Sequence, residues 1–177
     1  MEIFNLGLEG LKRVSPRLFY DIRGMFFESY QLPKYKEHGI DASFVQDNIS
    51  HSKKGTIRGL HYQSDPGQAK LVSCLWGSVW DVAVDIRVGS STFGKWEAVI
   101  LDGKSQEQLF IPIGFAHGFC VLSDEALLQY KVSSIYHPET ERSIRWDDPD
   151  LAISWPVLNP TLSDRDRQSP FFKECFQ

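Results

Sequence analysis

Residues 80–87 alternate too strictly for a helix. Trp80, Val82, Val84 and Ile86 share one face of an extended segment, while Asp81, Ala83, Asp85 and Arg87 share the other. The run Leu71 to Trp76 precedes them and meets them through Gly77-Ser78, a pair suited to a tight hairpin connection. Further short runs cover Trp96 to Leu101, Gln108 to Ile111, Phe119 to Leu122 and Leu127 to Tyr136. Glycine, proline and aspartate punctuate them every ~8–12 residues, the spacing of a β-sandwich or barrel. Helical signals are few. Pro33 to His38, stopped by Gly39, predicts one short helix, and Ser163-Asp164-Arg165-Asp166 opens another. The expectation is one all-β domain over residues 1–177 with small helical additions.

A chain of 177 residues buries roughly 70% of its unfolded surface, enough for a core without disulfides or metal. Nineteen basic residues against 23 acidic ones leave a net charge of −4 with no lysine/arginine tract. A nucleic-acid footprint is therefore not expected, although a pocket for one anionic ligand needs only a few local cations. The N-terminus lacks a signal-peptide pattern, and the uncharged stretch Leu109 to Leu122 is too short for a membrane span and is broken by Pro112, Gly114 and Gly118. Three cysteines without C-x-x-C spacing fit a reduced cytoplasmic protein.

Two of the five histidines have chemically suggestive neighbours. His61 lies in Arg58-Gly59-Leu60-His61-Tyr62-Gln63, and His117 in Gly114-Phe115-Ala116-His117-Gly118, where small residues permit close backbone approach. Either one alone reads as a hydrogen-bonded structural histidine, and His38, His51 and His137 fall in expected loops. A metal site of the His-x-His type is disfavoured, because Gln63 is a poor ligand and Gln68-Ala69-Lys70 places an ammonium where a carboxylate would be needed. Metal-free proton transfer suits the same residues better. Histidine is a base near neutral pH, and Lys70 or Arg58 offers charge to an enolate oxygen. Tyr130 shares strand parity with Leu128 and Val132 and so points inward, either as an opposed acid or as a core tyrosine. Asp166 stands three residues after Ser163, where a capping box places an acid. Arg23 and Glu28, and the run Gln46-Asp47-Asn48, suggest ligand contacts or an ordinary strand edge and turn.

Taken together, these segments resemble the dTDP-4-dehydrorhamnose 3,5-epimerases, which are cupin-type jelly rolls. The resemblance is carried by Phe19 to Glu28, Gln46 to Ser50, Gly55 to Gln63, Lys70-Leu71-Val72, Asp81 to Arg87, Ile111 to Phe119, Trp146 to Pro149 and Leu162 to Asp166. It runs in order from about residue 3 to 167. It implies that His61 removes the proton beside the C4 carbonyl, that Asp166 orients His61, that Lys70 stabilises the enolate and that Tyr130 protonates from the other face. It implies substrate contacts by Arg23, Glu28, Gln46, Asp47, Asn48, Arg58, His117, Glu141 and Arg165, and stacking of Tyr136 on the thymine ring. Arg165 departs from the lysine usual in the family, which keeps the charge but changes the donor geometry. The resemblance further implies a dTDP-linked 4-keto-6-deoxy sugar as substrate, no metal or redox cofactor, no nucleic-acid or membrane partner, and a homodimer in which an N-terminal strand crosses to the second copy. Epimerisation at C3 or C5 alone, a metal-dependent cupin reaction, and a catalytically silent sugar-nucleotide binder are the competing readings.

Overall fold

The computed structural model describes residues 1–176. In chain order its elements are β1 (Glu2–Asn5), β2 (Lys12–Ser15), β3 (Phe19–Asp21), β4 (Gly24–Phe26), α1 (Leu32–Glu37), β5 (Gln46–Lys53), β6 (Ile57–Gln63), β7 (Lys70–Trp76), β8 (Ser78–Asp85), β9 (Trp96–Asp102), β10 (Gln108–Ile111), β11 (Phe115–Val121), β12 (Glu125–Val132), β13 (Glu141–Ser143), α2 (Asp164–Gln168) and α3 (Phe172–Cys175). One sheet has the order β1-β2-β10-β7-β12-β5 and the other β13-β6-β11-β8-β9, with β3 and β4 forming a separate hairpin. All paired strands in these sheets run antiparallel, giving the cupin-like jelly roll that the resemblance implied.

The alternation at residues 80–87 has a physical reason beyond one wet and one dry face. Val79 and Ala83 join the core between the sheets with Val72, Cys74, Leu109, Phe119 and Leu128. Val82, Val84 and Ile86 instead pack outward beneath Leu151, Ile153, Trp155 and Phe172 of the C-terminal segment. The polar set is thus the interior set, and Asp81 and Asp85 are fully buried. On the other sheet, Leu71 and Phe110 pack outward against Tyr35 of α1 and Ile40. Each sheet is therefore covered over part of its outer face as well, and polar side chains left between the sheets have a special role.

Several local expectations shift. Gly77-Ser78 does not close a hairpin: β7 and β8 belong to different sheets, and Gly77 turns the chain from one sheet to the other at φ +78°. β11 begins at Phe115 rather than Phe119, so His117 lies in a strand, and β12 ends at Val132 rather than Tyr136. His51 lies in β5 rather than in a loop. Both expected helices form. Pro33 sits in the first turn of α1, and Ser163 caps α2.

Candidate active site

The site begins where β6 crosses β11. Gly59 adopts φ +124°, and a Cβ there would lie 2.6 Å from Gly118 Cα and 2.7 Å from the His117 carbonyl oxygen. Only glycines permit this approach. The pairing slips between His117 and Phe119, and beyond the slip His61 and His117 are direct register partners. Leu60 packs outward, His61 and Gln63 line the interior cavity, and Tyr62 packs against the outer cluster while also reaching the cavity wall.

His61 Nε2 stands 2.6 Å from Asp166 Oδ1. The carboxylate is nearly sealed, with its side chain 4% exposed against 27% for the histidine. Asp166 is delivered by α2, whose Ser163 Oγ accepts the Asp166 N–H at 3.1 Å. Capping and pairing therefore hold at once, because the cap uses the backbone of Asp166 and the pair uses its side chain. Burial works to raise the Asp166 carboxyl, but the His61 bond and charge, the Ser163 hydroxyl and the Gly59 N–H outweigh it and hold it below its ordinary range. An ionised carboxylate only accepts, so the proton lies on His61 Nε2 and the neutral ring keeps its lone pair on Nδ1.

Across the interior, β7 and β12 of the opposite sheet supply Lys70 and Tyr130. Lys70 is buried, and its Nζ donates to the His61 carbonyl oxygen at 3.2 Å. Burial pushes its ammonium down to about 8, against the opposing pull of Asp81 and Glu141. Burial also raises the Tyr130 hydroxyl, with Arg58 partly countering it, so the group is a proton donor at neutral pH. His61 and Tyr130 thus enter the same cavity of about 380 Å³ from opposite sheets.

The mouth carries charge and an aromatic ring. Tyr136 Oη donates to Glu141 Oε2 at 2.9 Å, and Arg165 pairs with the same carboxylate. Gln46 Oε1 accepts the Tyr136 N–H at 3.0 Å, and Gln46 Nε2 donates to Asn48 at 2.8 Å. Arg58 donates to Ser52 Oγ at 2.9 Å. His117, Gln46, Asn48, Arg58, Tyr136, Glu141 and Arg165 all line the cavity.

Three expected contact residues do not reach it from this chain. Arg23 is at the exposed tip of the β3–β4 hairpin, paired with Asp21. Glu28 pairs with Lys34 at 2.8 Å. Asp47 lies on the outer face of β5, where Lys131 binds it at 2.8 Å. Period-2 parity separates it from Gln46 and Asn48 and points instead to Ser50, which lines the cavity without a contact having been expected of it. Gln63, Gln68 and Phe119 also line it. Gln63 Nε2 is held by Thr140 Oγ1 at 2.8 Å and by the His137 carbonyl oxygen at 3.2 Å.

Comparison with known proteins places this arrangement. A family profile described as dTDP-4-dehydrorhamnose 3,5-epimerase matches residues 5–174. A dTDP-4-dehydrorhamnose 3,5-epimerase of Pseudomonas aeruginosa is 47% identical over 180 residues, covering 99% of each chain. One of Neisseria gonorrhoeae is 48% identical over 167 residues, covering 94% of this chain, which spans about half (51%) of that relative's length. The crystal structure of dTDP-6-deoxy-D-glucose-3,5-epimerase from Legionella pneumophila, in complex with dTDP-4-keto-L-rhamnose, superposes with a TM-score of 0.93 at 52% identity, covering 96% of this chain and 92% of that one. The chain belongs to the dTDP-4-dehydrorhamnose 3,5-epimerase family.

Proposed function

We propose that this protein inverts C3 and C5 of dTDP-4-keto-6-deoxy-D-glucose, giving dTDP-4-keto-L-rhamnose on the route to dTDP-L-rhamnose. One observation carries the reading: a histidine–carboxylate pair and a tyrosine enter one cavity from opposite sheets, and a buried ammonium lines the same cavity. The family membership and the dTDP-4-keto-L-rhamnose bound to the Legionella relative support the substrate.

The chemistry follows from the residues. His61 Nδ1 takes the carbon-bound proton next to the C4 carbonyl, and Asp166 steadies the imidazolium that forms. The electron pair moves onto the carbonyl oxygen as an enolate, where Lys70 supplies positive charge. Tyr130 returns a proton from the opposite face, which inverts the carbon. Once His61 has passed its proton to solvent and Tyr130 has regained one, repetition at the second carbon flanking the carbonyl completes the reaction without change of oxidation state. Arg58 and Arg165 offer forked donors to a diphosphate, and Tyr136 offers a ring for the base to stack on. A cavity of about 380 Å³ suits the sugar, with the nucleotide leaving through the mouth past Tyr136.

We also propose that the working form is a homodimer. The β3–β4 hairpin exposes Phe19, Tyr20, Ile22 and Phe26, with Ile22 fully in solvent and Phe26 72% exposed. Such an apolar ribbon favours a partner. A second copy would give Arg23 and Glu28, stranded outside this chain's cavity, a route to its neighbour's substrate. The free thiols Cys74, Cys120 and Cys175 support a reducing, cytoplasmic setting. No helix among the described residues is long and apolar enough to cross a membrane.

The test is incubation with dTDP-4-keto-6-deoxyglucose in deuterated water, read by NMR. Deuterium at both C3 and C5 is expected. Label at one carbon reduces the protein to a single-centre epimerase, and label at neither overturns the proposal.

A further inference from the structure

The molecule contains a second histidine–carboxylate pair that the reaction above leaves unused. Asp81 on β8 and His117 on β11 are neighbours in one sheet, where Asp81 pairs with Phe119 and His117 with Ala83. His117 Nε2 lies 2.9 and 3.0 Å from the two oxygens of Asp81. Asp81 is fully buried and His117 is 6% exposed.

Other buried carboxylates of this protein show what a structural aspartate receives here. Asp85, four residues on and on the same face, accepts from the Arg87 backbone and guanidinium and from the Ser90 and Thr92 hydroxyls. Asp148 accepts from three backbone N–H groups, those of Asp150, Leu151 and Phe172. Among the described residues, Asp81 has one N–H to share between both oxygens. A buried carboxylate with a single donor is poorly compensated unless another positive charge stands close by. The Lys70 ammonium, buried in the cavity that His117 also lines, supplies such a charge. Of the two carboxylates that oppose the burial of its ammonium, Asp81 acts more strongly than Glu141.

We propose that Asp81 is a positioning residue of this site, holding the His117 ring in one tautomer and placing a buried negative charge opposite the Lys70 ammonium. Because the carboxylate accepts the Nε2 N–H, His117 presents Nδ1 as an acceptor in the cavity. Burial holds the ring neutral by lowering its affinity for a second proton, against the pull of Asp81. Lys70 is useful to an enolate only while protonated, and the low-dielectric interior favours the neutral amine. Asp81 offsets that tendency without touching substrate. The other titratable and charged groups around the Lys70 cavity are Arg58, His61 and Tyr62 on β6, His117 on β11, Tyr130 on β12, Glu141 on β13, Arg165 on α2 and Tyr136 before β13, with Asp166 behind His61. The carboxylates that pull the Lys70 ammonium back up are Asp81 first and Glu141 second.

The inference rests on the epimerase reading, so wild-type deuterium incorporation at C3 and C5 comes first; its absence defeats that reading and not the geometry of the pair. With an active wild type, Asp81→Asn in the full chain is assayed for kcat and KM across pH, with a thermal melt to confirm folding. The basic limb of kcat is expected to move to lower pH by about one unit or more, as for removal of a close opposite charge. KM for the nucleotide sugar is expected to stay within about twofold, and lowering the pH should restore much of the lost kcat. A wild-type pH profile in Asp81→Asn, or a loss of kcat equal at every pH, overturns the proposal. Should Asp81→Asn fail to fold, ¹⁵N imidazole shifts of wild-type His117 decide the tautomer: a protonated Nε2 is expected, and a protonated Nδ1 with bare Nε2 overturns it.

Discussion

The two histidine–carboxylate pairs sit in the same interior and are built in opposite ways. His61 and Asp166 are 105 residues apart in the chain, and one partner rides on a five-residue helix capped by Ser163. Their 2.6 Å contact opens on one side to the cavity, with a quarter of the His61 side chain exposed. His117 and Asp81 are instead locked into adjacent strands, and both are sealed. A base must exchange its proton with something outside the protein, so exposure of one ring nitrogen is a requirement for it. A group that sets charge and tautomer works best without solvent, where each interaction is worth more. In the proposed mechanism the two pairs divide these tasks: the assembled pair moves a proton, and the sheet-bound pair sets the field in which it moves.

The sharpest way to break this division is at His61. His61→Ala is expected to lose on the order of 10²–10⁴-fold in kcat, the usual contribution of a positioned base, with nucleotide binding retained by isothermal titration. Full activity in that variant would refute the assignment. Lys70→Met, which keeps length and removes charge, is expected to lower kcat by about 10²–10³-fold, the scale of one oxyanion donor. In the wild type, kcat should fall as pH rises through about 8, because the ammonium needed for the enolate is then lost. A flat profile between pH 7 and 9 would separate Lys70 from catalysis. Tyr130→Phe has a subtler signature. Epimerisation is expected to fail while exchange of the substrate C–H with solvent deuterium continues, since His61 still removes the proton and can return it on the same face. The smallest effect is at the cap. Ser163→Ala should cost about 1 kcal/mol of stability, measured by denaturant melt, with a modest fall in kcat as Asp166 loosens.

Much of this was legible in the chain. The alternation at residues 80–87, the glycine and proline spacing and the short helix after Pro33 led to an all-β sandwich or barrel because each is a local rule with a local cause. The His61–Asp166 pair was not legible from local rules, because Ser163-Asp164-Arg165-Asp166 reads equally well as a cap and only tertiary packing shows that it is also a partner. Asp47 was grouped with Gln46 and Asn48 as adjacent residues, whereas strand parity puts it on the outside with Lys131. Asp81 was visible only as the polar half of an alternation. That this polar half faces the interior depends on the C-terminal segment covering Val82, Val84 and Ile86, which residues 80–87 alone do not reveal. Arg23 and Glu28 lie outside the cavity of one chain, and no pattern within it could show whether a second copy brings them in.

The central claim is that His61, and not His117, is the group that takes the proton from carbon. Solvent deuterium wash-in by His61→Asn, followed by NMR at C3 and C5 with the nucleotide sugar saturating, tests it most directly. The account predicts that label enters either carbon at least about 10²-fold more slowly than with the wild type, while the variant still binds the nucleotide. Label at either carbon at the wild-type rate would contradict it.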